Sequence, residues 1–264
     1  MKILFIGGTG VISYACSVLC IEKGFDLYLF IFISSASAYH KPPLKIPLTE
    51  ETPLHNPFWS YSRGKIDCEK FLMKVFREND FPVTVCRPSH TYDKTKIALY
   101  GGYTTLNRMM LDKQIIIHED GNTLWTLTNS RDFAKGFIGL LGNSKTIGEA
   151  YHITSDEILT WNQIAETIAQ KAGYDLNITY LSAEFISKYD AEWGYNLFGD
   201  KGYDAVFDNT KIKKIVPDFK AAIPYSEGVQ EIIEWYSHKK NQIVNRELDS
   251  TMDKMIEEYQ SIHS

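Results

Sequence analysis

The chain has 264 residues, 44% hydrophobic and 23% charged, with a formal net charge of −5. This is an ordinary globular composition, with room for one large domain or two closely packed ones. The acidic balance argues against a phosphate-tracking nucleic-acid binder, and no apolar run approaches the ~18 residues that read as a bilayer span.

Residues 2–6 form a strand-like apolar run at the N-terminus, without a secretory-leader pattern. The chain then passes into Gly7-Gly8-Thr9-Gly10-Val11-Ile12-Ser13. A helical pattern through Val18, Leu19, Ile21 and Glu22 follows, closed by Lys23-Gly24, and residues 26–30 read as a second strand. This order predicts a βαβ unit with a dinucleotide-type turn. Gly7 and Gly10 let the backbone turn tightly and approach a pyrophosphate, while the helix N-terminus supplies amides and a positive dipole end. The spacing is G-x-x-G-x-x-S, and Ser13 is small enough to preserve helix–strand packing. The alternative is a turn that merely connects strand to helix. Cys16, Cys20, Cys68 and Cys86 show no zinc-type spacing. They read as reduced thiols of a cytoplasmic protein, with no metal site.

Residues 31–33 are apolar and β-prone, and Ser34 to Ser37 end that strand with small polar side chains. Pro42, Pro43, Pro47, Pro53 and Pro57 mark residues 40–60 as an extended loop. Within it, Glu50 and Glu51 read as solvated acidic residues, and His40 and His55 lack metal-type companions. Tyr39, four residues after Ser35, reads as a residue that lines the cleft or packs, with packing favoured. A helix follows, in which Tyr61 and Lys65 are four apart and share a face. A free tyrosine has a pKa near ~10 and is a poor base at neutral pH. A neighbouring ammonium favours the phenolate. Ser35, Tyr61 and Lys65 are therefore candidates for a proton-transfer site, with Ser35 holding the substrate oxygen. The same spacing also fits an amphipathic helix whose lysine lies along the surface.

Farther along, residues 83–86 read as a central strand, followed by the loop Arg87-Pro88-Ser89-His90-Thr91-Tyr92. Asp132-Phe133-Ala134 opens a helix, and residues 151–154 form a late strand. Thr160 and Gln163 make a capping box for a helix that buries Ile164, Ile168 and Ala172 and stops at Gly173. Residues 178–181 are a short strand. The aromatic stretch 186–206 suits a substrate lid, a partner surface or an irregular packed segment. Residues 209–216 and 224–236 read as helices. Residues 239–264 form a charged helical tail whose Leu248, Met252, Met255, Ile256 and Tyr259 stripe suits docking onto the body or packing in a homodimer.

The series Gly7-Gly8-Thr9-Gly10, Ser34-Ser35, Tyr61-x-x-x-Lys65 and Arg87-Pro88 resembles the extended short-chain dehydrogenase/reductase superfamily, which includes NAD-dependent epimerase/dehydratases of sugar nucleotides. The segments SSASAYHKP, RPSHTYDK and LWTLTNSRDFAKGF are most similar to the branch related to chloroplast stem-loop RNA-binding proteins. The resemblance covers nearly the whole chain. It implies an α/β fold: a Rossmann-like, doubly wound parallel sheet over residues 1–150, and a smaller C-terminal α/β substrate domain over 151–264 with returning segments. It also implies NAD or NADP as cofactor and hydride transfer on a sugar-like small-molecule substrate. Gly7, Gly8, Thr9, Gly10, Val11 and Ile12 would contact the cofactor. Tyr61 would be the acid/base, Lys65 would also hold the nicotinamide ribose, and Ser35 would bind the reacting oxygen. Pro88, Ser89 and His90 would lie beside the carboxamide. Trp125 stands where sugar-nucleotide epimerases place an arginine against the diphosphate. Tryptophan cannot make that bidentate contact, so Trp125 reads as a ring that stacks on substrate or fills the cleft. A non-catalytic, RNA-associated or regulatory role on the same fold is the alternative, and the acidic charge weighs against it.

One break interrupts the pattern. The second strand runs directly into the serine strand as LYLFIFISSAS. The family pattern has further βα units there, with the residue that reads the adenosine ribose. A crossover between parallel strands needs a dozen or more residues. Either residues 26–33 are one long strand of altered topology, or about two βα units, on the order of 60 residues, are missing. The pattern is intact on both flanks, which favours the second explanation.

Overall fold

A computed structural model of the chain describes Glu22 and residues 30–263. The glycine turn, Gly7 to Ile12, lies outside the described residues. In chain order the elements are β1 (Phe30–Ile33), a 3-10 turn (Ala36–Ala38), α1 (Ser60–Asn79), β2 (Val83–Pro88), β3 (His90–Tyr92) and α2 (Tyr103–Met110). Then come β4 (Ile115–His118), β5 (Leu124–Trp125), β6 (Leu127–Asn129), α3 (Ser130–Leu140), β7 (Ala150–Ile153), β8 (Leu159–Thr160) and α4 (Trp161–Ala172). The chain continues with β9 (Ile178–Leu181), α5 (Ala183–Tyr189), α6 (Ala191–Asn196), a π-helical turn (Leu197–Lys201), α7 (Thr210–Ile215), α8 (Tyr225–Ser237) and α9 (Arg246–His263). The segments alternate between two compact units. The first comprises the described residues up to Tyr92, with Thr126–Glu157 and Ala205–Ile223. The second comprises Asp93–Trp125, Ile158–Asp204 and Pro224–Ser264.

The first unit is α/β, around a parallel sheet in the order β1-β2-β7. Phe30 pairs with Val83 and Ile33 with Cys86 on one side of β2, and Val85 pairs with Ala150 on the other. β2 is flanked on both sides, and all six of its residues are buried, the usual state of a central parallel strand. Phe133, Phe137 and Leu140 of α3 pack with Tyr151 and Ile153 of β7, Ile212 of α7 and Phe219. The Asn129 side chain caps α3 by accepting from the Arg131 amide. Gly136 and Gly139 bring α3 close to its neighbours. A Cβ at Gly139 would lie 2.4 Å from both Cγ atoms of Val216.

Residues 87–92 do not form the single loop expected from the sequence. The strand continues through Pro88, and His90–Tyr92 becomes β3, paired in parallel with β6. Ser89 makes the break between them. Its hydroxyl turns aside to the Thr126 carbonyl at 3.3 Å and the Thr128 hydroxyl at 3.2 Å.

The second unit contains the parallel pair β4–β9 and the antiparallel pair β5–β8. Thr160 and Gln163 form the expected capping box, and Gly173 ends α4 at φ 73°. The aromatic stretch 186–206 is largely helical. Trp193 and Leu197 are buried with Ile116, Leu181, Ile186, Met252 and Met255. The Tyr100 ring stacks on Trp193 at 4.1 Å. The α9 stripe faces that same core: Met252, Met255 and Ile256 are buried, and Leu248 and Tyr259 pack alongside. Docking onto the body thus accounts for the stripe. Among the described residues, no helix is long and apolar enough to cross a membrane.

Candidate functional site

The serine strand, the turn after it and the first turns of α1 meet at the carboxyl end of β1. Ser35 caps the 3-10 turn, its Oγ accepting from the Ser37 amide at 3.2 Å. The Ser37 hydroxyl lies 2.9 Å from that of Ser35 and accepts the Ser62 hydroxyl hydrogen at 2.8 Å. Ser62 is the residue after Tyr61, so this hydroxyl series joins the Ser35 turn to the tyrosine helix. Asn56 adds a second tie. Its buried side chain donates to the Ser37 carbonyl at 2.8 Å and accepts from the Phe58 and Trp59 amides, which orients the entry to α1.

Lys65 points back toward the sheet. Its ammonium donates to the Ile33 carbonyl at 2.8 Å and lies 5.2 Å from the Phe32 ring centroid and 5.5 Å from that of Tyr61. Burial pushes the Lys65 pKa down, against smaller upward pulls from Cys68 and Glu69. The Tyr61 side is open: the residue is 47% exposed, and its ring tilts against Trp59 at 4.9 Å. The structure therefore gathers Ser35, Tyr61 and Lys65 around one strand end.

Pro88 closes β2, the parallel neighbour of β1, and Ser89 follows it. Ligands of open parallel sheets sit beyond the carboxyl ends of the strands, so these residues lie at the expected end. His90 is half-buried on β3. Trp125 belongs to the second unit and is only 2% exposed. Its ring packs against Trp161 at 5.2 Å, with the Lys201 ammonium 5.9 Å from its centroid.

One reading of the loop before α1 changes. Glu50 is not solvated. Its side chain is 5% exposed, and Oε1 accepts from the His152 amide at 3.1 Å. The His40 and His55 rings lie 5.2 Å apart, and among the described residues no third ligand-type side chain joins them. Tyr39 packs, as expected, and is fully buried. Sequence reasoning passed over Ser37, Ser62 and Asn56. Their one signal was position, because Ser62 adjoins the tyrosine and Ser37 lies two residues after Ser35.

Comparison with known proteins gives the chain its relatives. It is 23% identical over 230 residues to dTDP-D-glucose 4,6-dehydratase of Mus musculus, a match covering 87% of this chain and 59% of that protein. The Homo sapiens protein of the same name is also 23% identical, with 60% of its length covered. The chain thus spans about three-fifths of the length of these relatives. Among solved structures, UDP-glucuronic acid 4-epimerase from Bacillus cereus, in complex with UDP-glucuronic acid and NAD, superposes with a TM-score of 0.66. It is 18% identical, with 87% of this chain and 68% of that one covered. dTDP-glucose 4,6-dehydratase from Bacillus anthracis, in complex with NAD, gives a TM-score of 0.63 at 20% identity, with the same coverages of 87% and 68%. These likenesses establish a Rossmann-type α/β fold. The profile of the NAD-dependent epimerase/dehydratase family matches residues 6–154, more than half of the chain, and the chain belongs to that family.

Proposed function

We propose that the chain is an NAD(P)-dependent oxidoreductase of the epimerase/dehydratase type, acting on a hydroxyl or carbonyl carbon of a sugar-like substrate in a cytoplasmic setting. The observation that carries this reading is the Lys65 ammonium, held between the Ile33 carbonyl and the Tyr61 ring at the carboxyl end of a parallel strand. The donor set fits a nicotinamide ribose. An ammonium has three N–H donors, and the Ile33 carbonyl takes one of them.

In this reading Lys65 binds the ribose hydroxyls and biases Tyr61 toward the phenolate. Tyr61 takes the proton from the substrate hydroxyl, or returns it to the carbonyl oxygen. Ser35 holds that same oxygen by a hydrogen bond, from a turn already fixed by Ser37. The nicotinamide, when bound, accepts or returns the hydride. The glycine turn, Gly7, Gly8, Thr9, Gly10, Val11 and Ile12, would cradle the pyrophosphate, with Pro88, Ser89 and His90 near the carboxamide. The dehydratase and epimerase relatives, named for dTDP-glucose and UDP-glucuronic acid, support a sugar substrate.

The test is titration of the purified chain with NADH and NADPH, read by nicotinamide fluorescence. One of them is expected to saturate below millimolar concentration, and Lys65→Met should weaken it by roughly 10-fold or more. Tyr61→Phe should keep cofactor affinity and lose roughly 10²–10⁴ in turnover of UDP-glucuronic acid or dTDP-glucose. Absence of binding at millimolar cofactor would sink the proposal.

A further inference from the structure

The helix that carries Tyr61 and Lys65 is held in an unusual way for an amphipathic helix. Its buried residues are Ser62, Ile66 and Glu69. These lie at i, i+4 and i+7, one stripe along the helix. Two of the three are polar, and each meets a polar partner from another element. Ser62 donates to the Ser37 hydroxyl on the serine turn at 2.8 Å. Glu69 receives Arg87 of β2: Nε at 3.1 and 3.2 Å from its two oxygens, and Nη2 at 2.7 Å from Oε2. The opposite side is open, with Phe71 65% exposed.

Arg87 does not stop at Glu69. Its Nη1 donates to the Glu50 carbonyl at 3.1 Å and to the Tyr39 hydroxyl at 3.4 Å. His152 Nε2 donates to the Asp208 carbonyl at 2.7 Å, which leaves Nδ1 as an acceptor for the Tyr39 hydroxyl at 3.1 Å. Tyr39 directly follows the 3-10 turn that Ser35 caps. One guanidinium therefore grips the tyrosine helix through Glu69 and the serine turn through Tyr39. Burial works against the charge on Arg87, but its hydrogen bonds and attraction to Glu69 and Tyr39 outweigh this and hold its pKa above the usual range.

An apolar stripe tolerates small slides and rotations, because dispersion and area burial are non-directional. A forked guanidinium on a carboxylate has one good geometry. We infer that the Arg87–Glu69 and Ser37–Ser62 pairs form a two-point polar clamp that sets the translation and rotation of α1, and thereby the placement of Tyr61 and Lys65 against Ser35. Glu69, Arg87, Ser37 and Ser62 are positioning residues. Their catalytic consequence rests on the oxidoreductase reading above, whereas the placement itself does not.

Two variants test the clamp: Ser62→Ala, which changes no charge, and the double variant E69L/R87M. Apolar replacement of a buried ion pair is often tolerated or stabilising. Each is compared with the parent for thermal unfolding, NADH affinity and the titration of Lys65, followed by NMR of ε-13C lysine and assigned with Lys65→Met. The clamp predicts that Lys65 leaves its buried berth, so that its titration moves up toward the ordinary lysine value. NADH binding should weaken by roughly 10-fold or more, while melting stays close to the parent. The loss of the Glu69 charge by itself would move Lys65 downward, so an upward shift in the double variant reports placement. An unmoved Lys65 titration in Ser62→Ala would overturn the inference whether or not melting changes, and Ser62→Ala alone decides if the double variant fails to fold. If the parent binds no NADH while the Lys65 titration still shifts, the clamp stands and the oxidoreductase reading falls.

Discussion

His118 ends β4 with Nε2 donating to the Lys201 carbonyl at 2.9 Å and its ring edge-on to Trp161. It is 5% exposed, and burial pushes its pKa down to about 4. His152, fully buried in the first unit, is also pushed down, chiefly by burial, with Arg87 acting in the same direction. Both are neutral in the folded chain, whereas an unfolded histidine takes a proton near pH ~6.5. Between those values the unfolded state binds more protons, so stability is full above pH ~6.5 and is lost as pH falls toward about 4. For His118 the linkage is on the order of 3 kcal/mol. Melting temperatures measured across that window should fall with pH, and His118→Gln should flatten the slope. At this scale the sequence singled out Ser35, Tyr61 and Lys65 as candidates, because a proton-transfer site calls for particular residue types at short spacing. It did not show the partners that hold them. Glu50 sits in a proline-rich, charged loop and reads as solvated, and only folding brings His152, 102 residues away, against it.

Among the elements, those with strong local signals were legible. The capping box of α4, its glycine stop, the central strand β2 and the tail helix follow from spacing and cap chemistry alone. The 186–206 stretch was not, because its dense aromatics and three glycines obscure the 3.6-residue period. Its helices form where Trp193 and Leu197 find a core, and Asp190 caps α6 by accepting from the Trp193 amide at 2.9 Å. The close approach made by Gly139 on α3 was equally invisible. Alanine there gains roughly 1 kcal/mol of helix propensity. The new methyl would meet both Cγ atoms of Val216 at 2.4 Å and its Cβ at 3.0 Å, so no rotamer of that valine gives relief. Overpacking of this kind costs typically about 1–3 kcal/mol. Gly139→Ala should therefore be net destabilising, by up to about 2 kcal/mol, measured as a lower denaturant midpoint at unchanged slope.

For the molecule as a whole, net charge and topology govern behaviour. A net charge of −5 opposes the phosphate-backbone attraction that supplies most nucleic-acid affinity. Fluorescence anisotropy with a labelled single-stranded RNA at physiological salt should show no saturable binding below ~100 μM. Saturable, salt-sensitive binding would instead favour a nucleic-acid role for this fold. The interruption of the family pattern at residues 30 and 31 is read from the sequence of its two flanks, and residues 23–29 on its N-terminal side lie outside the described residues. The interleaving of the two units was less legible, since a sequence shows what each segment can become and not which segments share a core. That interleaving also governs how the chain is made. The polypeptide passes between the units five times, and synthesis proceeds from the N-terminus at ~5–20 residues per second. Ser35, Tyr61 and Lys65 emerge early, yet the first unit is unfinished until Ala205–Ile223 has left the ribosome. By then most of the second unit has emerged too, and it still waits for α9. The first unit thus has all its segments before the second does, and a clip within α9 strips Met252, Met255 and Ile256 from the core of the second unit while leaving every segment of the first.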